Sequence, residues 1–293
     1  MSYVMGIDGG GSRVRAVVVT PDLVVIGSAE GGSANPMSAG RDAAARNVQS
    51  AIRAALADAH LSPDEIAAAG VGIAGTVTAR AWARAMVAAA LPNAAIRIAS
   101  DSEIALVGAR GERRGVLILA GTGSVAYGVN AAGEAAQVGG WGYLLGDEGS
   151  GYWIGLKALQ AVARAADGRE PPTRLSEPLL SALGLGSAQD LIQWIYTSAR
   201  TQVIAALAPR VLAEASDPAA QQIIAKSVAH LAALGRTVAL RLKIESAGYA
   251  FAGGLLGEPN PVSEGLCAAL GLPSIPVPKY PPVIGAALLA LAP

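Results

Sequence analysis

The spacing of apolar positions divides the chain into two strand-and-turn cassettes with alternating helices and strands between them. Tyr3 to Asp8 predicts a short buried strand that runs into Gly9-Gly10-Gly11-Ser12. Val14 to Thr20 then reads as a second strand, Pro21-Asp22 as a turn and Leu23 to Ile26 as a third strand. The same order returns from Gly115: a strand to Ala120, the turn Gly121-Thr122-Gly123-Ser124, a strand from Val125 to Val129, a turn near Ala132-Gly133 and a strand from Ala135 to Val138. A repeated order of this kind predicts a duplicated unit, one copy per domain.

Between the cassettes, Arg41 to Ala59 carries Ala44, Val48, Ala51, Ile52, Ala55 and Leu56 at helical spacing. Ala69 to Ile73 and Ala95 to Ala99 read as strands, with a helix from Ala79 to Ala90 between them. That alternation predicts an α/β fold with a largely parallel sheet and helices on its faces. The second half is predicted to be helix-rich, with helices over Ser150–Ala166, Ala188–Ala199 and Pro218–Ile244. A strand from Tyr249 to Ala252 follows and ends in Gly253-Gly254, and Pro282 to Leu291 forms a final helix. A junction near Glu112 to Gly115 gives a smaller domain over 1–114 and a larger one over 115–293. The helix 282–291 is a candidate to pack back on the first domain.

Composition narrows the function. At 293 residues the chain exceeds one typical core. Lys plus Arg equals Asp plus Glu, 22 each, with no basic block, which argues against nucleic acid as a partner. The single cysteine, Cys267, excludes an internal disulfide and a cysteine-built metal cage within one chain. His60 and His230 lie far apart and read as solvated helix residues. The N-terminus lacks the basic and apolar regions of a leader. No apolar run reaches the roughly 20 residues a membrane helix needs, so a cytoplasmic address without a membrane partner is expected.

Asp8 followed by Gly9-Gly10-Gly11-Ser12 suits phosphate: glycines let the backbone approach closely, and successive amides form an anion nest. A carboxylate just before such a loop can hold Mg²⁺ through water. A plain hairpin with a glycine turn has the same pattern. No Gly-Lys-Ser/Thr follows, so this is not a Walker loop, and a strand rather than a helix comes next, unlike a dinucleotide fingerprint. The second loop, Gly121 to Ser124, strengthens the phosphate reading, because two such hairpins could clamp a triphosphate. Asp101 stands at the carboxyl end of a strand, where open α/β sheets present ligand-binding residues, but it could equally cap the helical run that starts at Glu103. Gly139 to Gly151 holds six glycines in thirteen residues, with Trp141, Asp147 and Glu148 among them. That mixture suits a loop around a polar ligand. Trp141 could stack on a sugar ring and Asp147 accept from vicinal hydroxyls, or Asp147 could cap the next helix.

With these motifs in this order, the chain resembles the N-acetylglucosamine kinases of the BadF/BadG/BcrA/BcrD ATPase family, within the actin–hexokinase–Hsp70 superfamily. The resemblance rests on Asp8 to Ser12, Ser33-Ala34-Asn35, Gly72-Ile73-Ala74-Gly75, Asp101, Gly121 to Ser124, Gly139-Gly140-Trp141-Gly142, Gly146 to Ser150 and Phe251-Ala252-Gly253-Gly254. It implies two actin-like ATPase (ribonuclease H-like) domains with the active site in the cleft between them, ATP and Mg²⁺ as cofactors, and a small amino sugar as substrate. By the same resemblance Asp101 is the general base for the sugar 6-hydroxyl and Asp8 organises Mg²⁺. Gly10, Gly11, Ser12, Gly121, Thr122, Gly123 and Ser124 hold phosphates, and Gly253 and Gly254 form the adenosine turn. Asn35, Gly140, Trp141 and Asp147, with Asp101, bind the sugar. Pro36-Met37 after Asn35 departs from the family pattern, which leaves glucosamine and N-acetylmuramic acid as alternative substrates. A homodimer is a candidate assembly. The reductase-activating branch of the family needs two cysteines per chain for a shared iron–sulfur cluster, and this chain has one. A non-catalytic sugar sensor is the remaining alternative, against which Asp101 and both glycine loops argue.

Overall fold

The computed structural model describes residues 2–74, 79–245 and 248–291. The chain groups into two compact units: Met1–Gly115 with Gly128–Glu134 and Val277–Pro293, and Val116–Tyr127 with Ala135–Pro276.

The first unit is built on strands β1 (Tyr3–Gly9), β2 (Val14–Val19), β3 (Val25–Gly31), β4 (Ile66–Ile73) and β5 (Ala95–Ala99), in the order β3-β2-β1-β4-β5. The sheet is mixed rather than largely parallel. β1–β2 and β2–β3 pair antiparallel, whereas β1–β4 and β4–β5 pair parallel. Connection length is the reason, because a tight turn can only reverse the chain while a parallel return needs a crossover. The second turn also delays β3 by two residues: Leu23 has φ +64 and the Thr20 amide donates to the Val24 carbonyl, so pairing resumes at Val25. Crossovers run through α1 (Pro36–Ala39), α2 (Arg41–Asp58) and α3 (Arg80–Ala88), and β5 leads into α4 (Asp101–Arg110). The six apolar positions that predicted α2, from Ala44 to Leu56, are the six that it buries against the sheet.

The second unit repeats the first part of that order. Its strands β6 (Gly115–Ala120), β7 (Ser124–Val129), β8 (Ala135–Gly139) and β9 (Tyr249–Ala252) run β8-β7-β6-β9, with β6 and β9 parallel. Around them lie α5 (Gly151–Ala166), α6 (Ser176–Ala182), α7 (Asp190–Thr197), α8 (Thr201–Ala205), α9 (Ala208–Ala213), α10 (Pro218–Arg241) and α11 (Pro261–Ala269). By length and mean hydropathy α10 is the one helix among the described residues apolar enough to cross a bilayer, although Lys226, His230 and Arg236 interrupt its apolar run. Its apolar content has another explanation. Ile223, Ile224, Leu231 and Val238 are buried in the core of the second unit with Ile118, Ile154 and Phe251, while Lys226 and Arg236 ride on the same helix.

The last helix, α12 (Pro282–Leu291), packs against β1, β4 and α4 of the first unit. It buries Val283, Ile284, Ala287 and Leu289 there, at about 1.5–3 kcal/mol for each fully buried large aliphatic side chain. The approach is backbone to backbone. A Cβ on Gly6 would lie 2.1 Å from the Val283 carbonyl oxygen, and one on Gly70 1.7 Å from that of Ala286. Arg97 Nη1 donates to the Leu289 carbonyl and the Tyr280 amide to that of Gly108, which ties both ends of the segment to the sheet and to α4.

Candidate active site

In the first unit the candidate residues collect where β1, β4 and β5 end. Asp8 lies on β1, opposite Arg15 of β2 and Gly72 of β4. The glycine loop after it closes with the Gly10 amide donating to the Arg13 carbonyl at 2.8 Å. Gly9 is packed, since a Cβ there would meet Ala34 Cβ at 2.7 Å, whereas Gly11 faces open space. The loop thus has a fixed base and an accessible tip at Gly11 and Ser12, the shape an anion nest requires.

Residues 33–35 are fastened to this loop. The Ala34 amide donates to the Gly10 carbonyl at 3.1 Å, and Asn47 Nδ2 of α2 donates to the Ser33 carbonyl at 2.8 Å. Asn35 Oδ1 accepts from the Met37 amide at 2.8 Å and so caps α1. Pro36 stands at the first position of α1, where a missing N–H costs nothing.

Asp101 does not cap α4. That position belongs to Ser100, whose Oγ accepts from the Glu103 amide at 3.0 Å, so Asp101 is the first helical residue. Its Oδ1 accepts from the Ser102 amide at 2.9 Å, beside the positive end of the helix. Asp8 and Asp101 feel each other's charge. Burial, opposed by Arg15 and reinforced by Asp101, pushes the Asp8 carboxyl up to about 6. Gly72 brings α4 close to β4, because a Cβ there would meet Ile104 Cδ1 at 2.5 Å.

In the second unit three segments meet where β6 and β9 end. The loop from Gly121 to Ser124 is closed by the Gly121 amide on the Gly123 carbonyl at 2.9 Å. The amide of Gly151, the first residue of α5, donates to the Gly121 carbonyl at 2.8 Å. Gly253, at φ +89, turns the chain after β9; its Cβ would lie 2.3 Å from the Ala120 carbonyl oxygen, and the Gly254 amide lies beside Gly121. Asp147, with φ +58, sets its carboxylate against Gly123, whose Cβ would meet Asp147 Oδ2 at 2.7 Å, and its Oδ1 accepts from the Ser124 amide at 3.2 Å. Burial first, and Glu148 beside it, raise this carboxyl above the ordinary range, while the Ser124 amide opposes them. Asp147 is no helix cap, because Ser150 caps α5 by accepting from the Trp153 amide at 3.2 Å.

Residues 5–290 match the BadF/BadG/BcrA/BcrD ATPase family. The chain belongs to that family. It is 37% identical over 214 residues to an N-acetylmuramic acid/N-acetylglucosamine kinase of Clostridium acetobutylicum, covering 72% of this chain and 70% of that protein. It is 32% identical to a glucosamine kinase of Vibrio cholerae, over 79% of this chain and 78% of the relative. A solved structure of a candidate N-acetylglucosamine kinase from Chromobacterium violaceum superposes with a TM-score of 0.79 at 30% identity, covering 100% of this chain and 99% of that one. A hexokinase of the ROK family from Thermus thermophilus, at 17% identity and a TM-score of 0.58 over 98% and 97% of the two chains, shares the fold. The architecture is thus that of the two-domain actin-like ATPases.

Within this BadF/BadG/BcrA/BcrD ATPase the expected residues are not equally available. Gly10, Gly11, Ser12, Asn35 and Asp101 share one end of the first sheet with Asp8. Thr122, Gly123, Gly253 and Gly254 share one end of the second. Ser124 is spent internally: it is 3% exposed, its amide donates to Asp147 and its Oγ donates to the Glu148 carbonyl at 2.9 Å. Gly140 takes φ +73 and its amide donates to the Ser124 carbonyl, so it braces the second loop, and Trp141 projects from it 74% exposed. Gly75, the last residue of the Gly72 motif, lies outside the described residues. Three supporting residues escaped the sequence reading. Asn47 holds Ser33, Glu103 is buried in an ion pair with Arg113 at 2.6 Å, and Ser227 of α10 donates to the Gly149 carbonyl at 2.7 Å. The Ser100-x-x-Glu103 spacing, a capping signature, was the signal available for the second. Among the described residues no group of three His, Cys, Asp or Glu could cage a metal. The Asp8 carboxylate, beside an open loop and near Asp101, fits a cation that keeps most of its water, as Mg²⁺ does.

Proposed function

We propose that this protein is an ATP-dependent amino-sugar kinase that phosphorylates N-acetylglucosamine at the 6-hydroxyl. The observation that carries the reading is the pairing of Asp8 and Asp101 at one end of the first sheet, next to an open glycine loop. Phosphoryl transfer asks a protein for positioning and charge stabilisation more than for covalent chemistry. Asp101 would orient the attacking hydroxyl and accept its proton, a contribution of about 10²–10⁴ in rate. Asn35 Nδ2 would donate to the sugar, Trp141 would cover one face of its ring, and Asp147 Oδ2 would accept from its hydroxyls. Gly10, Gly11 and Ser12, with Thr122 and Gly123, would donate to phosphate oxygens, and the turn at Gly253-Gly254 would accommodate adenosine. Mg²⁺, held through water by Asp8, would neutralise phosphate charge.

The named relatives take both acetylated and free amino sugars, so the test is an ADP-release assay with Mg-ATP over N-acetylglucosamine, glucosamine, N-acetylmuramic acid and glucose. Brisk turnover on N-acetylglucosamine, in the range of about 1–100 s⁻¹ common for kinases, is the expected result. Turnover confined to glucose or to glucosamine would overturn the acetamido assignment.

A further inference from the structure

Helices α5 and α10 leave a solvent-open groove of about 1040 Å³ in the second unit, with residues 170–173 along its lining. Trp153, Lys157, Gln160 and Arg164 line it from α5, and Gln222, Lys226 and His230 line it from α10, each set at the spacing of one helix face. Its charges are unevenly matched. Arg164 is neutralised by Glu170 at 2.7 Å. Asp217 is consumed as the cap of α10, accepting from the Ala219, Ala220 and Arg174 amides and from Thr173 Oγ1. Among the described residues Lys157 meets the neutral Gln160 carbonyl at 3.2 Å and the Trp153 ring at 5.8 Å, and neither Lys157 nor the exposed Lys226 makes an ion pair. Glu148 is the remaining carboxylate in the lining. Trp153 and His230 meet edge to face at 5.3 Å, which braces the wall that carries Lys157. The groove is large enough for a small organic ligand.

Two uncompensated lysines from facing helices suit a phosphate, and the amides of Gln160 and Gln222 with the Glu148 carboxylate suit hydroxyl groups. We propose that this groove binds a phosphorylated sugar as a second, non-catalytic site. The choice of a sugar, among phosphate monoesters, rests on the kinase reading; the site itself does not. Occupancy would be felt at the second glycine loop, because the Glu148 carbonyl accepts from Ser124 Oγ and the Gly149 carbonyl from Ser227 Oγ of α10. A product held here would therefore bear on the turn that supports Thr122 and Gly123.

The test is calorimetric titration of N-acetylglucosamine 6-phosphate into the full chain, with the catalytic site filled by N-acetylglucosamine and a non-hydrolysable ATP analogue. Saturable binding that persists under these conditions is expected. Lys157→Ala with Lys226→Ala should weaken it by about a hundredfold, since each removes a charge-assisted contact, while leaving the melting temperature and the basal rate unchanged. Absence of binding under block, or binding undiminished in the double variant, would overturn the site. Inorganic phosphate binding as tightly as the sugar phosphate would overturn the sugar assignment. The readout is binding, so a chain that failed the ADP-release panel would still give a distinct answer here.

Discussion

The two glycine loops sit at matching points of matching sheets, yet they obtain their carboxylates differently. In the first unit the residue before the glycines is Asp8, fixed on a strand, partly stripped of water and within reach of a second acid, Asp101. In the second unit the corresponding residue is Ala120, and the carboxylate arrives from a distant segment as Asp147, which binds the loop's own Ser124 amide. One copy of the motif carries its acid on the strand that enters the loop. The other uses one to hold its own backbone. A duplicated fold therefore does not imply duplicated chemistry, and a carboxylate's role follows from which donors it already satisfies.

The sharpest way to break this comparison is to neutralise each acid. Asp101→Asn keeps shape and hydrogen bonding but cannot take a proton, so kcat should fall by about 10²–10⁴ with KM for the sugar within a fewfold. Unchanged turnover with a lowered melting temperature would make Asp101 a structural residue. Next in size is Gly70→Ala. A methyl group 1.7 Å from the Ala286 carbonyl oxygen must push α12 off the sheet, at about 3 kcal/mol, read as a loss of stability in denaturant titration. Asp147→Asn should be milder: the amide oxygen can still accept from Ser124, but one charged acceptor toward the sugar is lost, so KM should rise about tenfold with a smaller change in kcat. If the two profiles exchanged, the division of labour between the units would be reversed.

The smallest effect concerns Asp8 and has a defined sign. Its carboxyl titrates near 6 in the folded chain against an ordinary value of 3.8. The folded state therefore binds the proton more tightly than the unfolded one. The stabilisation that this gives is complete below about 3.8 and is lost as pH rises through about 6. Asp8→Asn, which carries no charge, should consequently stabilise the ligand-free protein at pH 8 by about 1–2 kcal/mol after allowance for solvent screening, and by little at pH 4. A melting-temperature difference that did not depend on pH would show that Asp8 bears no desolvation penalty.

Much of this was legible in the sequence because local signals agreed. The period of α2 named its six buried residues, and glycine turns located both cassettes. The mixed sheet was misread because alternation of helix and strand dominates the pattern, whereas strand direction is set by the short turns before it. The capping of Asp101 and Asp147 was ambiguous for a different reason: Ser100 and Ser150 compete for the same positions within a few residues, and only the amide geometry decides. The lysine groove left no trace in the sequence, since helices far apart along the chain must meet before their charges share a space.

The close seating of α12 has a consequence for how the protein is made. Its segment joins the first unit, yet it follows the whole of the second unit in chain order. While the roughly 160 intervening residues are translated, which takes on the order of ten seconds or more at about 5–20 residues per second, the glycine face of β1 and β4 has no cover. Asp8 and Asp101 stand on elements that the helix has not yet clamped. The acids at the candidate site therefore reach their final setting only after both units have been synthesised, so a partial translation product would present a sheet without a settled pair of acids.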